Sequence, residues 1–367
     1  MTIYIVLLLF ILISYWFCMH IRAKQGKEKL YFLNIVFIAI YLLCVLRLSS
    51  VGRDVPGYER AYLLTANIEW GNFTYIYFES GYILLMKICL ALGASFQVFL
   101  CVTYAIILTP IYLVIRKYSK NVLLSVLIFV CYMYFEFALT GIRQALAMSI
   151  VLVGYIVFIE SKKFNVLKYI FFVTLAAFFH KSAVVCYLFA LMVPIKSIKK
   201  YTTVVVVVTM GSLLIRNNIF QFIKGFFEKE SFKLSAGMYF GGNIIFLLSL
   251  AVLFLIVQAR QEPRNTLSGY EQLEIESQKY KVDDVNIKMF LISIMLALFF
   301  GSETSARSYM FLNQVLILQL PNCINKFEAK SKLLLNLFFY AFFIVFFFTN
   351  TLLANNFDIV PYRFFWQ

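Results

Sequence analysis

Charged side chains that interrupt long apolar runs are the residues of this sequence best suited to chemistry. Arg53 and Asp54 open a turn-rich segment, and Glu79 comes directly before another apolar run. Arg143 and Gln144 stand at the start of a run that continues with small residues. Because ionisable groups within or beside apolar spans are energetically costly, they are candidates for function by default.

The position of Arg143 favours an anionic ligand. A helix N-terminus carries a partial positive charge, so a guanidinium there is unfavourable unless an anion lies between the two. The arginine fork matches phosphate oxygens bidentately, which makes a phosphate-bearing ligand a good candidate. The alternative is structural: Arg143 extends toward the membrane interface or pairs with Glu136.

His180 and Lys181 form a polar patch between two short apolar runs, and the chain has only 2 histidines. Imidazole exchanges protons near neutral pH, so His180 is a candidate proton acceptor or a donor to phosphate. The alternative is a structural histidine at a helix end. The other histidine, His20, lies beside a basic cluster and is assigned no role.

Two further groups lie late in the chain: Arg307 with Tyr309, and a C-terminal tail that contains Arg363. The aromatic residues of the tail are also typical of an anchor at the membrane interface. Several arginines and one histidine on one membrane face together predict an anionic ligand there, with a diphosphate as a good candidate. The arginines are Arg53, Arg143, Arg216, Arg307 and Arg363.

The composition defines the kind of protein that positions these groups. Of 367 residues, 62% are hydrophobic and 14% charged, with a mean hydropathy of +0.85. These values indicate a membrane protein with a single transmembrane domain over residues 1–367. Glycine-rich phosphate loops are missing, so a nucleotide has no visible site. The 7 cysteines are scattered without C-x-x-C spacing, and we expect neither a bound metal nor a cofactor.

The apolar runs predict an all-α polytopic integral membrane protein with about 11 to 14 transmembrane or re-entrant helices. Two polar stretches interrupt them: 51–78, predicted as an extracytoplasmic loop, and 259–288, predicted as a cytoplasmic loop. The run 79–93 is short and carries Lys87, which would be costly in contact with lipid. We therefore expect 79–93 to re-enter the membrane beside a cavity.

The net charge of +15 indicates membrane topology and not a nucleic-acid partner. Cytoplasmic loops are enriched in Lys and Arg, and most basic residues of the chain lie in six short segments. These predicted cytoplasmic segments are 22–29, 116–120, 162–168, 196–200, 260–288 and 326–332. The candidate site residues lie outside them and are expected at the opposite, outward face.

The order of several short motifs resembles the EpsG-like, Wzy-type polymerases of bacterial surface polysaccharide. The resemblance spans nearly the whole chain and rests on these residues in sequence: Gly52-Arg53-Asp54 with Tyr58, Glu79-Ser80-Gly81-Tyr82, Ile142-Arg143-Gln144-Ala145-Leu146-Ala147, Phe179-His180-Lys181-Ser182-Ala183, Arg307 and Val360-Pro361-Tyr362-Arg363.

The resemblance implies a glycosyltransferase with a GT-C-like fold in the bacterial inner membrane, with its active site facing the periplasm or the outer face. Such enzymes join oligosaccharide repeat units linked to undecaprenyl or another polyprenyl diphosphate, and release the polyprenyl diphosphate. The activated sugar arrives on membrane lipid, so no nucleotide is needed. A chain-length regulator protein is the expected protein partner.

On this resemblance, Arg143, Arg307 and either Arg53 or Arg363 would hold the diphosphate. Gln144, Lys181 and Tyr309 would add contacts to the substrate. An acceptor hydroxyl needs a general base, and the choices are His180, Asp54, Glu79 and Glu303. His180 and Asp54 are favoured, and the sequence does not separate them.

Three other functions are compatible with parts of this pattern. An O-antigen ligase-like transferase would also use arginines and an outward histidine. A transporter or flippase for lipid-linked oligosaccharide should show internal repeats, and the sequence contains no convincing repeat. A membrane acyltransferase would need a route from a cytoplasmic acyl donor, which an outward His180 does not offer.

Overall fold

The computed structural model describes residues 1–20, 27–70, 77–161, 163, 165–216, 218, 242–260, 270–300 and 302–367. This part of the chain is helical, and its isolated β-bridge joins Arg47 to Phe364. In the first half of the chain the helices are α1 (Thr2–His20), α2 (Glu28–Val45), α3 (Val55–Ala66), α4 (Ser80–Ala91), α5 (Phe96–Tyr118), α6 (Val122–Cys131), α7 (Tyr134–Thr140), α8 (Ile142–Glu160) and α9 (Asn165–Ala177).

In the second half a 3₁₀ turn over Lys181–Cys186 follows α9, and a π-helical segment over Phe347–Leu353 extends the last long helix. The α-helices of this half are α10 (Tyr187–Met192), α11 (Ile198–Leu214), α12 (Gly242–Ala259), α13 (Tyr270–Phe300), α14 (Ser302–Asn313), α15 (Leu316–Ile324) and α16 (Ala329–Phe346).

Five helices of the described residues are long and apolar enough to cross a membrane: α1, α2, α5, α8 and the segment Ala329–Leu353. The bent pair of α6 and α7 brings this number to six. Shorter apolar helices of 10–17 residues accompany them, and a helix of that length is too short to span the hydrocarbon alone. The all-α polytopic fold is confirmed, and its helices are less even in length than the apolar runs predict.

Helix α8 lies at the centre of the bundle. Its membrane-span window is 78% buried, whereas that of Ala329–Leu353 is only 17% buried. Close packing against α9 requires Gly154, because a Cβ atom there would lie 2.8 Å from Cβ of Phe172. The central position of α8 holds its N-terminal residues, including Arg143, inside the protein.

The break between α6 and α7 shapes the interior of the bundle near the N-terminus of α8. Met133 has a left-handed backbone with φ of 61°, which is uncommon for a residue with a side chain. The two helices are bent by 44° relative to each other. Irregular backbone at membrane depth is tolerated where it is buried or lines a cavity, and α7 with its Glu136 side chain does line one.

Two of the basic clusters that the sequence assigns to one face, 116–120 and 326–332, lie at one end of the bundle. Lys117 pairs with Glu160 at 2.6 Å, and Lys326 pairs with Asp283 at 2.8 Å. The backbone N–H of Lys120 donates to Asn322 at 3.0 Å, which joins the 116–120 segment to α15. Which side of a membrane this end faces stays a prediction.

The two predicted loops contain helices. Segment 51–78 includes α3, which begins with a proline in its first turn, a position where the missing N–H costs nothing. Segment 259–288 is helical from Tyr270 onward, and its Glu, Gln and Lys residues are good helix formers. Their assignment to opposite sides of the membrane stays a prediction.

The re-entrant segment predicted at 79–93 forms the short helix α4. Lys87 on this helix is 5% exposed, and its ammonium donates to the carbonyl of Ile68. The protein therefore satisfies this ammonium with a carbonyl and not with a water-filled cavity. No residue of 79–93 lines the main cavity. The segment contacts lining residues through Glu79, which meets Arg143 and His180, and through Tyr82, which packs on Tyr58.

Candidate active site

A cavity of about 620 Å³ lies at the N-terminal end of α8, whereas Lys117 contacts Glu160 at the C-terminal end of the same helix. Its volume falls in the range of small-molecule sites. Six of the residues singled out from the sequence line it: Arg53, Asp54, Arg143, Gln144, His180 and Arg307. Side chains that are far apart in the sequence are thus brought to one site by α3, α8, α14 and the end of α9.

Glu79 contacts the other ionisable side chains of a cluster beside this cavity. One carboxylate oxygen accepts a hydrogen bond from the Arg143 guanidinium. The other lies 3.3 Å from Nδ1 of His180 and accepts the backbone N–H of Lys181 at 3.2 Å. The three side chains are largely buried, with exposed fractions of 10% for Glu79, 19% for Arg143 and 14% for His180.

The start of α4 is fixed against the end of α9, and this contact sets the position of Glu79. Gly81 donates its N–H to the carbonyl of Phe178 at 2.9 Å. A Cβ atom at Gly81 would lie only 2.7 Å from the same carbonyl oxygen, so the close approach requires glycine. His180 follows Phe178 by two residues and therefore meets Glu79.

Aromatic rings complete the surroundings of Arg143. Its guanidinium carbon lies 4.1 Å from the centre of the Phe78 ring and 5.8 Å from the centre of the Tyr58 ring. Such cation–π contacts are stronger when the cation is partly desolvated. Arg143 is therefore held by a carboxylate and two rings, and its charge is compensated before any ligand binds.

The environment of Glu79 keeps it ionised. Burial alone would raise its pKa, but the neighbouring His180 and Arg143 outweigh burial and lower the pKa to about 2. Both oxygens already have partners, so Glu79 orients other groups and is poorly placed to accept a proton from a substrate. We conclude that Glu79 is a positioning residue.

His180 lines the cavity, and both nitrogens of its ring are buried. Nδ1 lies 3.3 Å from a Glu79 oxygen, and Nε2 has no hydrogen-bond partner among the residues that the structure describes. The ring lies parallel to Phe311 with centroids 6.5 Å apart and an interplanar angle of 10°. A histidine that a carboxylate contacts on one side and whose second nitrogen is unpartnered fits general-base chemistry.

Arg307 supplies the cation that is least compensated at this site. Its residue is exposed, it lines the cavity, and its side chain forms no ion pair with any side chain that the structure describes. Gln144, which is 3% exposed, donates to the backbone carbonyl of Arg307 at 2.6 Å. Gln144 therefore ties α14 to α8 and places Arg307 beside the charged cluster.

The turn that carries Arg53 and Asp54 is held by the C-terminal tail. Arg53 donates from Nε to Asp358 at 3.1 Å, and both side chains are 58% exposed. The backbone N–H groups of Gly52 and Arg53 donate to the carbonyls of Asp358 and Phe357. The tail is thus part of the site even though its predicted ligand, Arg363, is not in the cavity wall.

Arg47 is a site-supporting residue that the sequence analysis missed. Its buried guanidinium donates to the carbonyls of Leu139 and of Val51 and, at 2.5 Å, to the hydroxyl of Tyr104. It therefore fixes the 51–54 turn against α7. The available signal was an arginine at the end of an otherwise apolar run, which is costly in a membrane without such partners.

Three residues predicted to bind substrate lie outside the cavity wall. The side chain of Lys181 is exposed, and only its backbone N–H reaches Glu79. Tyr309 is buried with 6% exposure. Arg363 is exposed, and its carbonyl accepts the N–H of Leu48. The side chain of Glu303, a candidate base, is outside the described residues.

The pairing of Arg143 with Glu136, considered from the sequence, is not found, since Glu79 takes that place. Glu136 instead lines the cavity together with neutral residues that the sequence analysis did not single out. These are Asn243, Phe346, Asn350, Asn356 and Phe357.

The helical bundle and its charged cavity define a multi-pass membrane protein with a candidate active site at one end. The chain belongs to the EpsG family, which it matches over residues 30–364. This family is associated with glycosyltransferase-like polymerase activity in polysaccharide biosynthesis. Comparison with curated proteins and with solved structures gives no match. The family that the motifs resemble is therefore confirmed.

Proposed function

We propose that this protein is a polysaccharide polymerase of the bacterial inner membrane, with a GT-C-like mechanism at the outer face. It joins polyprenyl-diphosphate-linked oligosaccharide repeat units and releases polyprenyl diphosphate. The observation that carries the proposal is one cavity in which a carboxylate-oriented histidine lies beside arginines. That combination suits proton removal from an alcohol and binding of a diphosphate.

Arg307 is the main diphosphate ligand in this proposal. The charge of Arg143 is already matched by Glu79, whereas Arg307 has no ion-pair partner among the described side chains. Arg53 is available as a second ligand, because its pair with Asp358 is exposed and exposed pairs are weak, at about 0–1 kcal/mol. Arginine forks bind phosphate bidentately and stabilise the charge that develops on a leaving group.

His180 is the general base. The hydroxyl of the incoming repeat unit gives its proton to Nε2 as its oxygen bonds to the anomeric carbon of the growing chain. The bond from that carbon to the diphosphate oxygen breaks, and the electron pair leaves with the diphosphate. Glu79 orients the ring and stabilises the imidazolium that forms. Asp54, which also lines the cavity, is the alternative base.

Both substrates are anchored in the same bilayer, so their encounter is confined to the membrane surface. Holding the two reacting groups in one cavity replaces a bimolecular encounter by a nearly unimolecular step. The energy for bond formation comes from the lipid diphosphate, so the reaction needs no nucleotide. Control of chain length would fall to a separate regulator protein.

Deleting the protein from cells that produce the polysaccharide separates this function from its closest rival. Loss of a polymerase leaves single repeat units on the final acceptor, whereas loss of a ligase leaves long chains on the lipid carrier. We expect single repeat units, with long chains restored by the wild-type protein and not by His180→Ala. Long chains stranded on the lipid carrier would contradict the proposal.

A further inference from the structure

The cavity has two chemically different walls. Arg143, His180 and Arg307 come from α8, the end of α9 and α14, and form the cationic wall. The other wall is built by α7, α12, the end of α16 with its π-helical extension, and the tail. We call it the amide–aromatic wall, and the residues that matter are Glu136, Asn243, Phe346, Asn350 and Phe357.

Glu136 is the one carboxylate of the amide–aromatic wall among the described residues. It is 3% exposed and has no ion-pair partner among the side chains that the structure describes. A buried carboxyl without a cation is unfavourable unless hydrogen-bond donors reach it. Glu136 brings no positive charge with which a phosphate could pair, so a neutral ligand part that carries hydrogen-bonding groups suits this wall better.

The neighbouring amides have spare hydrogen-bonding capacity. Asn350 uses its amide nitrogen on the carbonyl of Phe346 at 3.3 Å and on the hydroxyl of Thr349 at 2.9 Å. Within the described part of the chain Asn243 makes long contacts, accepting from Tyr132 at 3.4 Å and donating to the sulfur of Met133 at 3.6 Å. An amide carries two donors and an acceptor oxygen with two lone pairs, so both side chains can bind hydroxyl groups.

The aromatic side chains supply the apolar part of this wall. Phe346 packs on Tyr132 with ring centroids 5.3 Å apart, and Phe357 meets Phe137 edge to face at 6.0 Å. Aromatic faces give large contact areas with defined geometry. A carboxylate, two amides and apolar rings together match a sugar, which combines hydroxyl groups with apolar ring faces.

We propose that the amide–aromatic wall binds the sugar residues next to the diphosphate, with Glu136 accepting hydrogen bonds from their hydroxyl groups. This inference rests on the proposed function and adds to it a glycan subsite separate from the diphosphate subsite. The cationic wall holds the charged end of the ligand, and the amide–aromatic wall selects the sugar.

The test measures binding without turnover, by calorimetry on the purified full chain in lipid nanodiscs. Two probes are used: inorganic diphosphate, and the oligosaccharide released from the lipid-linked repeat unit by mild acid. Glu136→Leu should weaken oligosaccharide binding about 10- to 100-fold, as expected for losing one or two buried hydrogen bonds. Its diphosphate affinity should stay within about twofold of the wild type.

Two further variants make the result specific. Arg307→Ala should show the opposite pattern, with weaker diphosphate binding and an unchanged affinity for the oligosaccharide. Glu136→Gln keeps an acceptor oxygen of similar shape, so it should bind the oligosaccharide better than Glu136→Leu. Glu59→Leu, which removes a carboxylate outside the cavity wall, serves as the control, and the thermal unfolding temperature of each variant checks its fold.

The proposal is overturned if Glu136→Leu binds the oligosaccharide as the wild type does, if it loses both probes equally, or if the wild type binds no oligosaccharide. These outcomes are distinct from failure of the proposed function. That failure would appear as a wild-type protein that binds the two probes at separate walls but never elongates a lipid-linked glycan.

Discussion

Glu79 and Arg143 form an ion pair across 64 positions of sequence, and the same carboxylate lies 3.3 Å from His180. One residue before α4 therefore organises the first turn of α8 and the end of α9. Without Glu79, two cationic or potentially cationic groups would lie side by side in a largely buried place. The pair explains how the protein tolerates Arg143 at a buried helix N-terminus.

Replacing Glu79 by Gln should leave the chain folded but poorly active. The amide removes the charge that compensates Arg143 and replaces one of two acceptor oxygens by a donor nitrogen, so it cannot accept from both Arg143 and His180. Elongation should therefore fall about 100-fold, the lower range for a disturbed acid–base group. Initial rates of glycan elongation measure the effect. Glu160→Gln is the matched control, since its pair with Lys117 is 43% to 56% exposed and its loss should cost about 0–1 kcal/mol.

The same carboxylate should give the protein a defined acid sensitivity. The pKa of Glu79 falls from 4.5 to about 2 in the folded protein. A lowered folded-state pKa contributes stability that is fully present above pH 4.5 and is lost as pH falls toward 2. The difference in thermal unfolding temperature between wild type and Glu79→Gln should be constant from pH 7 to 5 and shrink below 4.5. A difference that stays constant down to pH 3 would show that Glu79 has no such shift.

The chain offers an internal control for the proposed base. His180→Ala should reduce elongation about 100- to 10,000-fold, as expected for removal of a general base. His20→Ala should have no effect, because His20 is exposed at the end of α1, far from the cavity wall, and its ring stacks on Trp16. Equal activity of both variants would remove His180 from the mechanism and leave Asp54 as the base.

Substitutions of Arg307 and Arg363 should differ in their effect on donor binding. Arg307→Ala removes a cation from the cavity wall and should raise the KM for the lipid-linked donor about tenfold or more, since bonds to charged groups contribute about 1.5–3 kcal/mol. Arg363→Ala should leave KM within about twofold, because the side chain lies outside the cavity wall and surface changes are usually small. A larger effect at Arg363 would mean that the tail closes over the ligand.

Much of this site could be anticipated from residue types alone. Charged residues are rare in the apolar runs, so Arg53, Asp54, Arg143 and His180 stood out, and their convergence on one cavity follows from their placement at one face. The two ends of the bundle were also separable, because basic clusters mark one of them. The family was recognisable from short motifs in a fixed order.

The pairing of side chains within the site could not be predicted from residue types. Glu136 is only seven positions from Arg143, yet Arg143 pairs with Glu79. The choice depends on the contact of Gly81 with Phe178, which brings α4 to the end of α9 and has no counterpart in hydrophobic periodicity. Arg47 was missed for a similar reason, since two of its three partners are backbone carbonyls that any sequence could supply.

Elongation by the purified protein tests the central claim most directly. The full chain is reconstituted in liposomes with its lipid-linked repeat unit, without nucleotide sugar or ATP, and the glycans are sized over time. We predict products of increasing length with release of polyprenyl diphosphate, and none from His180→Ala. A folded wild-type protein that leaves the repeat units unjoined would contradict the account.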